Sequence, residues 1–340
     1  MSSSRVSARD QRVIRSEHEH ARIADLHDPA DLPTAAVAQP PGDDVAARVD
    51  AAADNLADAR RAETIVNDEI VRLGAIFDRE NDASLLNRWI AGDTATTTGE
   101  FDELLWTALE WQHCSHGVFN VSMRRLQRLW HRAALDGCQP SVGELQEIAN
   151  DIATAPYRFD GHLLRQTKSC RDLDLAAIVD GFIVDLATET AWRTCDLCSL
   201  IVSARGKVVH RGDGDIDVAI GEPCDLAATT PMATLSNTAF ATWRPGGQNR
   251  RQIGRSFDPR TGQRLDTRFS VTVVAANATT ADAVAPIVSV MTPHQGLAFV
   301  EALNAPSPVV HPAESFTGVV SGPIECWIVD AVGETRHAGP

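Results

Sequence analysis

Hydrophobic and polar residues follow the period of a helix through much of the first half of the chain. Ala, Leu and Ile recur among Arg, Asp and Glu over residues 44–77, and this spacing predicts a long helix. Another helix is predicted to begin near Thr97, because Thr97 and Glu100 have capping-box spacing and apolar residues follow on one face. Shorter helices are predicted at residues 123–134 and 140–152. The first half is therefore predicted to be mainly helical.

The second half mixes short apolar runs with amphipathic stretches. Strands are predicted at residues 199–203, 216–220 and 271–276, where β-branched residues cluster between polar or turn-forming ones. Helices are predicted at residues 178–192 and 282–290, and the tail adds a helix at 294–303 and a strand at 324–329. This mixture predicts an α+β domain rather than a regular doubly wound sheet.

The N-terminal segment has a different composition from the remainder. Residues 1–45 combine mixed charge with four prolines, and they are predicted to form a loosely ordered leader. A chain of 340 residues can bury a substantial core, and its length alone allows one large domain or two ordinary ones.

Charge and cysteine content narrow the expected partners and compartment. The 31 Lys and Arg face 46 Asp and Glu, so a net charge of −15 disfavours nucleic acid and anionic membrane as partners. The sequence contains neither a signal-peptide pattern nor an apolar run of about 18 residues. Seven scattered cysteines fit reduced thiols, so a cytoplasmic location is predicted. Any phosphate-bearing ligand would need local positive charge to offset the acidic surface.

Five segments carry the most specific pattern, and they occur in a fixed order. They are FDRENDASLLN (77–87), SHGVFNVSMRRLQRLW (115–130), DLDLAAIVDGFIVDLATE (172–189), SARGKVVHRGDGDIDVAIGEP (203–223), and a fifth that runs from LSNTAFATW (235–243) through RSFDPRTGQ (255–263) to SVTVVAANATTADAVAPIVSVM (270–291). Together they resemble the FAD:protein FMN transferase (ApbE) family over roughly residues 60–330. The resemblance implies a single T-fold-related α+β domain over residues 46–335.

The resemblance also implies a phosphoester transfer. FAD would bind as substrate with Mg²⁺ on its pyrophosphate, and a Thr or Ser hydroxyl of a target flavoprotein would attack the FMN-side phosphorus, releasing AMP. The expected partners are therefore FAD and a target flavoprotein that carries an acceptor Thr or Ser.

Carried over position by position, the family motifs imply a set of site residues. The implied cofactor-binding residues are Phe77, Val118, Phe119, Asn120, Asp174 and Asp180. The implied magnesium ligands are the Ala177 carbonyl and the Asp282 carboxylate. Two of these residues have structural alternatives: Phe77 could close its helix onto the core, and Asp282 could be a first-turn carboxylate stabilised by a helix dipole.

Several positions depart from the family pattern. Asn120 replaces an Asp, which keeps a hydrogen-bond acceptor but loses a charge. Asp180 replaces a Lys, which turns attraction for a pyrophosphate into repulsion unless a metal or an arginine compensates, and Arg205 or Arg255 could pair with it. Pro286 replaces a Thr that supplies a hydroxyl to the metal. Arg255 replaces a His and is the candidate catalytic residue; an Arg cannot accept a proton near neutral pH, although it can clamp a phosphate.

Three functions therefore stay open. The chain is either an active FAD:protein FMN transferase, a catalytically reduced flavin- or nucleotide-binding paralogue, or a protein-interaction module on the same scaffold. Asp180, Arg255 and Pro286 are the residues that distinguish the first two functions, because each replaces a group that the transfer reaction uses in the family.

Overall fold

The computed structural model describes residues 47–93, 97–220, 232–244, 257–305 and 322–340, together with the backbone of residues 11–15 and 22–26. Within these ranges the chain has an α+β fold. A nine-stranded antiparallel sheet is the largest element, and two hairpin-like pairs of strands lie apart from it. As expected from the sequence, helices and antiparallel strands are mixed along the chain rather than alternating regularly.

The strands, in chain order, are β1 (Gln11–Arg15), β2 (Arg22–Leu26), β3 (Arg48–Ala53), β4 (Tyr157–Asp160), β5 (Leu163–Gln166), β6 (Ser199–Ala204), β7 (Lys207–Gly212), β8 (Ile216–Ala219), β9 (Met232–Leu235), β10 (Ala239–Trp243), β11 (Phe269–Ala275), β12 (Glu325–Asp330) and β13 (Thr335–Ala338). The main sheet has the order β13-β12-β11-β10-β7-β6-β3-β1-β2. The pairs β4–β5 and β8–β9 form the two small sheets.

The helices are α1 (Leu56–Phe77), α2 (Leu85–Ile90), α3 (Gly99–Cys114), α4 (Met123–Leu135), α5 (Val142–Ile152), α6 (Val179–Thr194), α7 (Ala278–Val290) and α8 (Pro293–Asn304). Among the described residues, none of these helices has the length and apolar character needed to cross a membrane.

The main sheet is covered differently on its two faces. Successive strand residues point to opposite faces, so Val208 and Val209 of β7 belong to different apolar clusters. Val209 packs with residues of α1 and α6, such as Val66 and Val184. Val208 packs with the β8–β9 pair, including Val218. The functional candidates lie on the helical side.

The start of the long predicted helix over residues 44–77 is wrong. Arg48–Ala53 is a strand that pairs with β6, and α1 begins only at Leu56 after the N-cap Asn55. The run RVDAAA is rich in Ala, which has high helix propensity. Val49 and Ala51 are buried against the helices, and this packing in the sheet overrides the local preference.

The capping box predicted at Thr97 and Glu100 does not form, and the N-cap is the next residue. The N-cap of α3 is Thr98, whose hydroxyl accepts a hydrogen bond from the Phe101 N–H. The Thr97 hydroxyl instead donates to Asp102. The capping-box spacing favoured Thr97, the residue before the observed N-cap.

Most of the other predicted elements are confirmed within a few residues. The predicted helices over 123–134, 140–152, 178–192 and 294–303 correspond to α4, α5, α6 and α8, and the predicted strands over 199–203, 216–220, 271–276 and 324–329 to β6, β8, β11 and β12. The helix predicted over 282–290 begins earlier, at Ala278, because the side chain of Asn277 caps it. The sequence did not predict β7, which completes a hairpin with β6.

Two strands at one end of the main sheet lie within the segment predicted to be a loosely ordered leader. β1 pairs with both β2 and β3, so these strands extend the main sheet at one edge. The rest of residues 1–46 lies outside the described residues. The loose order of residues 1–45 and the boundary at residue 46 stay predictions.

Candidate functional site

Two cavities meet at the segment that joins Asp174 to Ala177. The first, called here the α1 cleft, has a volume of ≈ 350 Å³ and lies between the end of α1, the start of α4 and the start of α6. The second, called the α7 cavity, has ≈ 40 Å³ and is bordered by Phe257 and the Pro286 turn of α7. Asp174 and Ala176 line both. All six predicted cofactor-binding residues line one cavity or the other.

The Asp174 carboxylate is held by contacts to its own segment and to α4. Its Oδ1 accepts a hydrogen bond from the Ala176 N–H at 3.0 Å, and its Oδ2 accepts one from the Gln127 side chain at 2.8 Å. The Asp174 N–H donates to the Val121 carbonyl at 2.7 Å. These contacts fix the carboxylate at the boundary between the two cavities.

The second motif segment forms one wall of the α7 cavity. Val118 and Phe119 are buried there. Asn120 accepts from the Ser122 N–H at 2.8 Å and donates to the Ile152 carbonyl at 2.9 Å, which ties this wall to the end of α5. An aspartate could not donate that second bond, so Asn at this position has a structural role.

Phe77 packs the end of α1 onto the core, which is the structural alternative given above, and it also lines the α1 cleft. Its ring stacks on Phe101 at a centroid distance of 6.0 Å and meets Phe182 edge-on at 6.1 Å. The ring is 7% exposed and contributes to the wall of the cleft. Phe77 thus belongs both to the aromatic core and to the cavity surface.

The FDPRTG turn is anchored on α4. Phe257 stacks on Trp130 at 5.7 Å, and the Trp130 indole N–H donates to the Gly262 carbonyl at 2.8 Å. This contact joins the second and fifth motif segments beside the α7 cavity. Arg255 lies outside the described residues, so its predicted catalytic role stays a prediction.

Asp180 forms an ion pair with the β6–β7 turn. The Arg205 Nη1 lies 2.9 Å from the Asp180 carboxylate. Arg205 and Gly206 both have positive φ, 51° and 75°, as a two-residue hairpin turn of type I′ requires. Gly74 of α1 leaves room for the guanidinium, since a Cβ there would lie 2.9 Å from the Arg205 Nη2. The repulsion expected from Asp180 is thus offset by Arg205, one of the two arginines that the sequence offered as partners.

Asp282 is not a first-turn carboxylate. α7 begins at Ala278, and Asp282 lies in its second turn with 2% of its surface exposed. Its Oδ1 is 3.0 Å from the Lys207 Nζ, and its Oδ2 accepts from the Gly181 N–H at 3.1 Å. Lys207 is itself 6% exposed. Asp282 therefore joins α7 to the first turn of α6 and to β7.

Asp185 occupies the position at the α7 N-terminus that the sequence assigned to Asp282. Its two carboxylate oxygens accept from the Ala278 and Thr279 N–H groups, both at 2.7 Å. Burial raises the pKa of Asp185, and these hydrogen bonds oppose that shift. Asp185 belongs to the motif segment 172–189, but the spacing of residues in that segment did not indicate that Asp185 would bind the N-terminus of α7.

The family assignment rests on comparison with known proteins. The sequence pattern of the ApbE family matches residues 44–308, which is more than half of the chain. The chain belongs to the ApbE family. No curated protein matches the sequence significantly.

Solved structures with the ApbE fold resemble this chain. The apo flavinyl transferase ApbE of Pseudomonas stutzeri is 18% identical, with a TM-score of 0.64 over 86% of this chain and 90% of that chain. The flavin transferase ApbE of Vibrio cholerae is 17% identical, with a TM-score of 0.63 over 86% and 93%. The ApbE protein of Thermotoga maritima is 18% identical, with a TM-score of 0.63 over 86% and 93%. At these identities the likeness shows the fold.

The residues at the implied magnesium site do not fit that ion. Both oxygens of Asp282 already have partners, one of them the Lys207 ammonium. Pro286 has no hydroxyl to offer one turn further along α7. Within the described residues, no group of three or more Asp, Glu, His or Cys side chains is arranged to hold a metal. Ala177 lies just before the N-cap of α6, and its carbonyl stays a predicted ligand.

The close approach of α6 and α7 at this site gives a stability prediction. A Cβ on Gly181 would lie 2.9 Å from the Asp282 Cβ and even closer to the Ala278 carbonyl oxygen. Gly181→Ala is therefore expected to lower the free energy of unfolding by about 1–3 kcal/mol, as overpacking typically does. The measurement is urea denaturation.

The control for this variant is Gly143→Ala in α5, where an added Cβ meets nothing within 4 Å. Alanine has the higher helix propensity, so this change is expected to be neutral or stabilising by up to about 1 kcal/mol. Equal effects of the two substitutions would show that the α6–α7 contact is looser than described.

Proposed function

We propose that the chain binds FAD at the junction of the α1 cleft and the α7 cavity and transfers its FMN part to a Ser or Thr hydroxyl of a target flavoprotein. The observation that carries this proposal is the lining of the two adjoining cavities. Residues from all five motif segments, among them Phe77, Phe119 and Asp174, line these two cavities. These residues were selected by their motif positions alone, so chance is a poor explanation for their lining the same two cavities.

The proposed reaction is a displacement at phosphorus. The hydroxyl oxygen of the acceptor forms a bond to the FMN-side phosphorus, the bond from that phosphorus to the bridging oxygen breaks, and AMP leaves with that oxygen. The hydroxyl proton passes to a base or to solvent. Positive charge placed beside the pyrophosphate lowers the barrier, because negative charge spreads over the phosphoryl oxygens.

The α1 cleft supplies such charge from the protein. Arg79, Arg124 and Arg205 line it, and Arg205 is paired with Asp180. Burial lowers the pKa of Arg79, the positive charge of Arg124 lowers it further, and nearby carboxylates act in the opposite direction. An anionic ligand in the cleft would stabilise the charged forms of Arg79 and Arg124.

A second candidate function is FAD or nucleotide binding without transfer. Two features favour it: the Asp282 carboxylate is paired with Lys207, and Pro286 carries no hydroxyl. The residue at the family His position, Arg255, cannot serve as a base near neutral pH. On this hypothesis the cleft keeps its ligand but the acceptor is never modified.

The two functions are separated by one assay. Purified protein is incubated with FAD, Mg²⁺ and a target flavoprotein domain of the family, and the acceptor is followed by intact-mass analysis. The proposed function predicts an FMN adduct on the acceptor. The matched control replaces the acceptor Thr with Val and should give no adduct.

Two results would contradict the proposal. FAD binding without any adduct would favour the second candidate. Absence of both FAD binding and adduct would exclude both candidates and favour a protein-interaction role.

A further inference from the structure

Two ion pairs, one buried and one partly buried, lie at the first turn of α6. The Asp180 carboxylate pairs with Arg205 at 2.9 Å, and the Asp282 carboxylate pairs with Lys207 at 3.0 Å. Both cations flank Gly206 in the turn between β6 and β7. The turn thus presents two positive groups to the place where α6 and α7 approach each other.

The Lys207 pair occupies the position that the family resemblance gives to a metal. A magnesium ion would bind a carboxylate oxygen at about 2.0–2.1 Å and would keep a nearly octahedral set of oxygen ligands. The Lys207 ammonium already lies 3.0 Å from one Asp282 oxygen, and the Gly181 N–H lies 3.1 Å from the other. A divalent cation placed there would meet a buried positive charge at short range and would displace two hydrogen-bond donors.

The structure offers other cations for a phosphate-bearing ligand. Lys207 does not line the α1 cleft, so its charge stays with Asp282. Arg124 lines the cleft, and its nearest carboxylate is Glu80 at 3.9 Å, which is largely exposed. The Arg79 guanidinium lines the same cleft and donates to the Arg171 carbonyl. These arginines can therefore contact phosphate oxygens directly.

We infer that the Lys207 ammonium replaces a divalent metal at Asp282, and that the α1 cleft binds the phosphates of its nucleotide through arginines without Mg²⁺. The first half of this inference concerns the chain alone. The second half rests on the function proposed above.

The first half is tested with the metal alone. Mn²⁺, a spectroscopic stand-in for Mg²⁺, is titrated into the full-length protein and followed by electron paramagnetic resonance. No bound Mn²⁺ is expected at Mn²⁺ concentrations up to ~1 mM, because the carboxylate that would hold the ion is paired with an ammonium. Binding of one equivalent that is lost in Asp282→Asn would overturn the inference.

The second half is tested with FAD. Its Kd, measured by the change in flavin fluorescence, is expected to agree within about twofold in Mg²⁺ and in EDTA. Arg124→Met is expected to raise the Kd about tenfold in both buffers, because it removes a guanidinium that lines the cleft. The control Arg132→Met removes the same charge from an exposed position on α4 outside the cleft lining and should leave the Kd unchanged.

The outcomes separate the inference from the proposed function. Affinity at least ~10-fold higher in Mg²⁺ than in EDTA would overturn metal-independent binding while supporting FAD as the ligand. No FAD binding in either buffer would overturn the second half together with the proposed function, and the Mn²⁺ titration would still decide the first half.

Discussion

Replacing Lys207 with methionine is expected to lower the free energy of unfolding by about 3–5 kcal/mol. The substitution removes the ammonium 3.0 Å from Asp282 and keeps a side chain of similar length. Asp282 is 2% exposed, so its negative charge would then be buried without the ammonium that balances it. The Gly181 N–H and the other short-range contacts of Asp282 would stay. Guanidinium chloride denaturation measures the loss.

A second substitution distinguishes the cost of an orphaned charge from the cost of lost packing. Adding Asp282→Asn to Lys207→Met removes the charge and keeps an oxygen that can accept from the Gly181 N–H. The double variant is expected to recover more than half of the loss, because replacing both members of a buried pair is far less costly than removing one.

The matched control is an exposed ion pair on the same helix as Gly181. Arg193→Met breaks the pair with Glu189, and the arginine side chain is 76% exposed. Its effect should be within about 0.5 kcal/mol. A loss below about 1 kcal/mol for Lys207→Met would mean that Lys207 and Asp282 are solvated rather than paired in the interior.

Local patterns predicted the elements whose own residues decide their structure. α5 begins at Ser141 with a complete capping box, and α8 begins at Thr292 with another, so the start signals of both helices lie in adjacent residues. β3 shows the opposite case, because its Ala-rich run has helical propensity and becomes a strand only through its pairing with β6. No feature within residues 48–53 carries that information.

The candidate site likewise has features that the sequence predicted and features that it did not. The motif segments indicated that Val118 and Asp174 would lie close together, and both line the α7 cavity. For Asp180 the sequence offered Arg205 only as one of two possible partners, beside Arg255. The pair of Asp282 with Lys207 was not predicted, because Lys207 opens a strand that is distant in sequence from α7. A buried lysine is rare unless it is paired, so Lys207 in the apolar run KVVH was the one available signal.

Changing Asp180 to lysine is expected to destabilise the protein by about 3–5 kcal/mol and to give no gain in FAD affinity. A lysine at this position would match the family pattern, and the isolated sequence suggests that it would restore attraction for a pyrophosphate. The structure indicates otherwise, because the Arg205 Nη1 lies 2.9 Å from the Asp180 carboxylate. The substitution would leave two positive groups side by side, and two unit charges at ~4 Å repel by about 4 kcal/mol at an effective dielectric near 20.

Exchanging the charges tests whether the pair itself causes the effect. Asp180→Arg combined with Arg205→Asp rebuilds an ion pair in the opposite direction, and aspartate tolerates the positive φ of position 205 better than arginine does. The exchange is expected to recover at least half of the stability that Asp180→Lys loses. The control Glu189→Lys, which faces the exposed Arg193 on α6, should cost under about 1 kcal/mol. Tighter FAD binding by Asp180→Lys at unchanged stability would contradict the pairing and would show that Asp180 repels the ligand, because only an unpaired carboxylate at the cleft could gain affinity on reversal of its charge.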